Sequence, residues 1–155
     1  MPKRSAGILV YRGRGEALEL FLVHPGGPFW ARKEWRAWSI PKGEHGEGED
    51  PFAVALREFR EETGQEMSGA WLALTPVRTP GGKLLTCWAV EGAVDAEAIV
   101  SNEFEMEWPP RSGRRQLFPE VDRAAWFPLA EARERVHAGM VPILDELAAK
   151  LAETG

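Results

Sequence analysis

The chain has 155 residues, 44% of them hydrophobic, and its 24 acidic residues outnumber 19 lysines and arginines to give a net charge of -5. A chain of this length buries enough apolar surface for one core, so we expect a single domain over residues 1–155. The negative charge argues against broad attraction to duplex nucleic acid or anionic membranes, and it remains compatible with a small phosphorylated substrate.

Two β-rich runs open the chain. Residues 5–12 and 18–24 are joined by Gly13-Arg14-Gly15-Glu16, a sequence typical of a turn, so they predict an antiparallel pair of strands. The first apolar run is too short for a signal peptide or a membrane span. We therefore expect a cytoplasmic protein.

A tryptophan-rich segment follows the break at Pro25-Gly26-Gly27-Pro28. Residues 29–36 predict a surface loop, and residues 37–40 predict a short strand. The rings of Trp30, Trp35 and Trp38 either pack in the core or stack on a nucleobase. Trp38 is our candidate for a substrate contact.

The clearest helix begins at Asp50-Pro51, where Asp50 caps free backbone N–H groups and Pro51 suits the first helical position. Gly64 ends it. The stripe predicted to face a sheet comprises Phe52, Leu56, Phe59 and Thr63.

Three carboxylates project from one side of this helix. At about 100° per residue, Glu62 lies about 40° from Glu58, and Glu61 lies about 60° from it. Oxygen ligands suit hard divalent cations, Mg²⁺ or Mn²⁺. The competing interpretation is an ordinary solvated helix face. Before the helix, residues 43–49 predict a glycine-rich acidic loop able to approach a metal or phosphate, with Lys42 as a candidate phosphate contact.

The second half of the chain predicts further strands and closing helices. Residues 71–78 and 83–91 are strand candidates on either side of a hairpin-like break, residues 92–115 show no clear element, and residues 123–127 predict a last strand before one or two helices through residue 151. Cys87, the single cysteine, lies in an apolar run and is expected to be a buried packing residue. This order favours the α+β class, with helices packed on a mixed sheet.

The segment from Gly43 to Gly64 resembles the Nudix box. Glu49 follows Gly43 after five residues, and Arg57-Glu58-Phe59-Arg60-Glu61-Glu62-Thr63-Gly64 follows after seven more. Gln65 departs from the pattern at a place that is usually hydrophobic. The resemblance implies the Nudix α/β/α sandwich, with a mixed β-sheet flanked by helices, and extends less specifically to residues 126–132.

The resemblance also implies roles for individual residues. Glu58, Glu61 and Glu62 would bind Mg²⁺, with Mn²⁺ as a possible substitute, helped by the Gly43 carbonyl. Arg57 and Glu49 would brace the loop against the helix. The reaction would be hydrolysis of a diphosphate linkage.

The general base would be a box glutamate or Glu120, which precedes Trp126 by six residues, as the catalytic glutamate does in dinucleoside tetraphosphate hydrolases. The alternative for Glu120 is a solvated turn carboxylate. Less favoured candidates for the base are Glu103, Glu105 and Glu107.

The substrate class is less constrained. Residues 39–43 resemble the corresponding segment of family members that act on long phosphate chains, which favours a dinucleoside polyphosphate or a nucleoside triphosphate. Against this, many dinucleoside polyphosphate enzymes carry a tyrosine downstream of the box, and the only tyrosine in this sequence is Tyr11. Pro80 lies roughly where the ADP-ribose hydrolases of this family carry a proline, so an ADP-ribose or nucleotide-sugar pyrophosphatase is an alternative. A non-catalytic nucleotide-binding module is the other alternative. Arg114 and Arg115, with Arg111, are candidates for a distal phosphate contact.

An isomerase of prenyl diphosphates is disfavoured because Cys87 is poorly placed for it. Both a monomer and a homodimer are compatible with the sequence.

Overall fold

The central strand of the protein is β1 (Arg4–Arg12), whose seven inner residues are all buried. The structure is a computed structural model that describes residues 3–154, so residues 1, 2 and 155 of the expected single domain lie outside it. β1 pairs antiparallel with β2 (Glu19–Pro25) and β3 (Lys42–His45), and parallel with β6 (Leu84–Glu91). The predicted antiparallel opening pair is confirmed.

The remaining strands extend this sheet and add a separate hairpin. β6 also pairs with the short strands β4 (Leu72–Ala73) and β5 (Val77–Arg78), and β2 pairs with β9 (Val121–Pro128). The run predicted as one strand at residues 71–78 is therefore two strands. β7 (Glu103–Glu107) and β8 (Arg115–Pro119) form a two-stranded hairpin in the region where no element was predicted.

Helix α1 (Pro51–Thr63) has the ends that its sequence predicts. The Asp50 side chain accepts a hydrogen bond from the Phe52 N–H, and Gly64 closes the helix with a left-handed φ of 74°. Helices α2 (Leu129–Arg135) and α3 (Val141–Thr154) confirm the predicted closing helices. No helix within residues 3–154 is both long and apolar enough to cross a bilayer.

The sheet buries both of its faces, because alternate side chains of β1 and β2 enter two cores. Ala55 and Phe59 of α1 pack on one face, and α3 packs on the other. Burying each large apolar side chain contributes roughly 1.5–3 kcal/mol, so α1 is held firmly against β1. The α/β/α sandwich with a mixed sheet is confirmed, and the predicted stripe of α1 does face the sheet.

Two local expectations are corrected. Residues 37–40 make only the isolated bridges Val23↔Ser39 and Trp38↔Val136, because Arg36 adopts a positive φ of 58° just before them and turns the chain. Residues 43–49 are not loop throughout, since their first three residues belong to β3.

Cys87 is fully buried, and burial raises the pKa of its thiol, so its packing role is confirmed.

Candidate active site

The first structural feature of the site is the close approach of β3 to α1. A Cβ atom on Gly43 would lie 2.2 Å from Cδ of Glu58, far inside van der Waals contact. Any other residue here would therefore force the Glu58 carboxylate or the backbone of β3 to move. The backbone N–H of the neighbouring Lys42 donates a hydrogen bond to Oε2 of Glu62 at 3.2 Å. β3 thus holds two glutamates of the helix.

Three carboxylates from two elements meet beside β3. Oxygens of Glu58, Glu62 and Glu120 all lie within 4.8 Å of one another. Glu120 reaches this position because its carbonyl accepts from the Gly26 N–H at 2.9 Å and its own N–H donates to the Asn102 carbonyl at 2.8 Å. Those two contacts join the root of the β7–β8 hairpin to the segment after β2.

Burial and mutual repulsion make this cluster costly without a cation. Glu62 is only 8% exposed, and burial together with the charge of Glu58 raises its pKa to about 9. Burial followed by the charge of Glu61 raises the pKa of both Glu58 and Glu120. A hard divalent cation is the chemical species that relieves all three at once.

Glu61 lies beside the cluster rather than in it. Its side chain is about one-third exposed and lies 3.9 Å from Nε of Arg57. The structure therefore brings together two of the three predicted helix ligands, and it adds Glu120, which the sequence marked only as a candidate base. The helical angles alone did not separate Glu61 from Glu62, because burial of Glu62 depends on β3.

Arg57 lies between the loop before α1 and the glutamates of the helix. Its guanidinium nitrogens lie 3.7 Å from Glu49, 3.8 Å from Glu58 and 3.9 Å from Glu61. Glu49 in turn accepts a hydrogen bond from the Gly46 N–H at 2.8 Å. Arg57 therefore links the loop before the helix to two of the helix glutamates.

Lys42 lies at the edge of the carboxylate cluster, and its contact with a phosphate stays a prediction. Burial lowers the pKa of its ammonium, and the charges of Glu62, Glu44 and Glu58 act in the opposite direction. Lys42 also affects His137, whose pKa is lowered by burial and then by this lysine. Nothing in the sequence of α2 and its surroundings had pointed to His137.

The proposed substrate contact at Trp38 is wrong as a stacking surface. Trp38 is 2% exposed and packs edge-to-face against Phe127 at 4.9 Å and His24 at 5.1 Å between ring centroids. It is a core residue. Trp30, from the same segment, is half-buried instead, and its ring contacts His137.

The arginines predicted for a distal phosphate lie on the β7–β8 hairpin. Arg115 begins β8, five residues and so about 17 Å along the strand from Glu120. Its Nε already donates to Glu105 at 2.6 Å. Arg114 is exposed at the same end. Both are separated from the carboxylate cluster, and their contact with a distal phosphate stays a prediction.

A cavity of about 580 Å³ lies on another side of α1. It shares Glu49 and Arg57 with the site, but its walls include the apolar side chains of Leu56, Met67 and Trp71 and none of the clustered carboxylates. The cavity is therefore separate from the place where the chemistry is concentrated.

The raised pKa of Glu62 predicts how stability depends on pH in the absence of divalent cations. The folded carboxyl keeps its proton up to about 9, whereas the unfolded one loses it near 4.5, so the folded state binds more protons between these values. The free energy of unfolding then falls as pH rises. We expect Tm measured in EDTA to fall from about pH 5 to about pH 9 and Glu62→Gln to flatten this fall. Equal slopes for both proteins would contradict the assignment.

Comparison with known proteins gives a consistent result. The family model described as NUDIX domain matches residues 1–147. Among solved structures, an Ap4A hydrolase from C. elegans in a binary complex superposes with a TM-score of 0.63 at 22% identity, covering 97% of this chain and 98% of that one. A mutT/nudix family protein from Listeria innocua has a TM-score of 0.63 at 16% identity, with 99% and 97% covered.

A third similar structure is the NUDIX domain of Shewanella oneidensis NrtR, complexed with ADP ribose. Its TM-score is 0.60 at 15% identity, with 99% of this chain and 88% of that chain covered. Identities this low establish a shared fold and nothing finer. No curated protein matches the sequence.

Proposed function

This chain belongs to the Nudix family of pyrophosphohydrolases, and from that membership we propose that it hydrolyses a diphosphate linkage in a nucleotide with the help of a divalent cation. The observation that carries the proposal is the cluster of Glu58, Glu62 and Glu120, whose oxygens lie within 4.8 Å of one another. A non-catalytic nucleotide-binding module would not need three repelling carboxylates in this position.

The cluster fits Mg²⁺, with Mn²⁺ as a substitute. All its donors are carboxylate oxygens, and its buried member Glu62 has a raised pKa that a nearby positive charge would lower. Glu58 and Glu62 would hold the ion, with Glu120 beside it, while the absence of a side chain at Gly43 keeps the space beside Glu58 open. When bound, the ion would neutralise the negative charge on the phosphoryl oxygens.

The protein's own side chains supply the remaining functions. Lys42 lies beside Glu62 and provides a fixed positive charge for a phosphoryl oxygen. Arg57 keeps Glu58 in place through its contacts to Glu49 and Glu58. Glu120 faces the helix glutamates from the turn between β8 and β9, so we assign its carboxylate to take the proton of the attacking water.

The substrate proposed is a dinucleoside polyphosphate or a nucleoside triphosphate. It is supported by Lys42 beside the cluster and by the resemblance of residues 39–43 to enzymes of long phosphate chains. An ADP-ribose or nucleotide-sugar pyrophosphatase is the second candidate. The test is product formation with Mg²⁺ from diadenosine tetraphosphate, nucleoside triphosphates and ADP-ribose, with Glu62→Gln protein as the blank. Absence of turnover on all of them would overturn the enzyme proposal.

The assignment of Glu120 predicts a specific change in the pH–rate profile. We expect Glu120→Gln to lower kcat by about 10²-fold at saturating Mg²⁺ and to remove the limb that reports deprotonation of the base. Glu61→Gln is the matched control, because Glu61 lies beside the cluster and should leave that limb in place. Loss of the limb in Glu61→Gln instead would transfer the role of base to Glu61.

A further inference from the structure

A pair of aromatic rings lies between the loop after β2 and the segment after α2. The ring centroids of Trp30 and His137 are 6.0 Å apart, and the planes are nearly perpendicular at 87°. Both side chains are half-buried, and neither belongs to the two cores of the sandwich. Nζ of Lys33 lies 5.0 Å from the Trp30 centroid. These groups therefore form a partly open aromatic surface with a cation over one face of the indole.

This surface is connected to the carboxylate cluster by backbone contacts on both of its sides. The loop of Trp30 begins at Gly26, whose N–H donates to the Glu120 carbonyl at 2.9 Å. The residue before His137 forms a β-bridge with Trp38, on the segment that leads into β3. Both rings therefore lie on segments tied to the carboxylate cluster, and a ligand with phosphates at one end and a flat ring at the other matches this arrangement.

The loop that carries Trp30 is held in place before any ligand binds. The buried His24 lies with Nε2 2.7 Å from the Lys33 carbonyl oxygen and Nδ1 2.8 Å from Oδ1 of Asp122. Further along, the Arg36 N–H donates to the Glu134 carbonyl at 3.1 Å. A loop already fixed at these two points loses less entropy when a ligand docks on it.

We propose that Trp30, together with His137, forms the base-binding position of the substrate site and takes the purine or pyrimidine ring of the nucleotide by stacking. The inference rests on the proposed function, because it names the part of a nucleotide that these residues recognise. Stacking on an aromatic side chain suits any base, since every base has a π-face. The position therefore favours nucleotides over compounds that carry the anhydride without a base.

The test compares three variants in the full-length protein. Trp30→Ala should raise KM for the nucleotide substrate about 10-fold, with kcat changed by less than about threefold, and Trp30→Phe should restore most of the loss. Trp35→Ala is the matched control, because Trp35 belongs to the same loop, is 57% exposed and has Arg135 over its ring instead of His137. It should leave KM unchanged.

Two further measurements separate recognition from a structural defect. The ratio of kcat/KM for the nucleotide to that for inorganic tripolyphosphate should fall about 10-fold in Trp30→Ala. AMP binding, measured by calorimetry without turnover, should weaken by a similar factor. Unchanged AMP affinity, or an equal loss on tripolyphosphate, would overturn the inference. If wild-type protein cleaves no anhydride while AMP binding still depends on Trp30, the proposed function fails and the base position stands.

Discussion

Replacing Glu62 by glutamine is expected to lower kcat by about 10³-fold while leaving the protein folded. Glutamine has nearly the same shape, and it keeps an oxygen to accept the hydrogen bond of the Lys42 N–H. What it removes is the charge of the carboxylate that is 8% exposed between Glu58 and β3. The loss should therefore appear in kcat, because stabilisation of the phosphoryl charge is lost in the transition state.

The same variant separates cation binding from folding. Wild-type protein should gain thermal stability when Mg²⁺ is added, since the ion binds only the folded state, whereas Glu62→Gln should lose most of that gain. In EDTA the variant should be at least as stable as the wild type near neutral pH, because glutamine is neutral in both states, whereas the Glu62 carboxyl must take up a proton when the protein folds. Glu66→Gln is the control, as the Glu66 side chain is 75% exposed after the helix. A normal rise in Tm with Mg²⁺ would exclude Glu62 from the site.

The second large effect is expected from Gly43→Ala. The added methyl carbon would lie 2.2 Å from Cδ of Glu58, so either β3 or the carboxylate must move by more than 1 Å. A displacement of that size in a catalytic group costs about 10²-fold or more in rate. We expect kcat to fall by at least this factor with Mg²⁺, and the apparent affinity for the ion to fall with it.

Gly46→Ala provides the matched control for this substitution. A Cβ at Gly46 would meet only Oε1 of Glu49, at 3.6 Å, which is ordinary van der Waals contact. The change lies in the same acidic segment and should leave kcat within about twofold of wild type. If both alanine variants lost activity equally, general stiffening of the segment would explain the result and the contact with Glu58 would not.

The sequence predicted the parts of the fold that depend on local patterns. Asp50 and Gly64 mark the ends of α1 by capping, which needs no distant contact. The hairpin β7–β8 was missed although Glu103-Phe104-Glu105-Met106-Glu107 alternates as a strand does, because the two strands are separated by a proline-containing stretch and lie apart from the main sheet.

The sequence predicted only the part of the site that lies on a single helix. Helical angles placed Glu58, Glu61 and Glu62 on one side, but which of them is buried depends on β3 and Glu120, whose contacts with α1 are distant in sequence. Trp30 and Trp38 show the same limit. Their loop has no periodicity, so the burial of Trp38 follows from the packing of Phe127 and His24 around it.

His24 has a consequence for redesigning the protein. Its two ring nitrogens contact the carbonyl of Lys33, on the loop that presents Trp30, and Asp122, two residues after Glu120. The acceptor at Lys33 is a main-chain carbonyl, so a chimera whose loop follows a different backbone path would leave a buried ring nitrogen without its partner, at a cost of about 1–3 kcal/mol. Transplanting a new specificity into this scaffold therefore requires a loop that keeps the backbone position of Lys33.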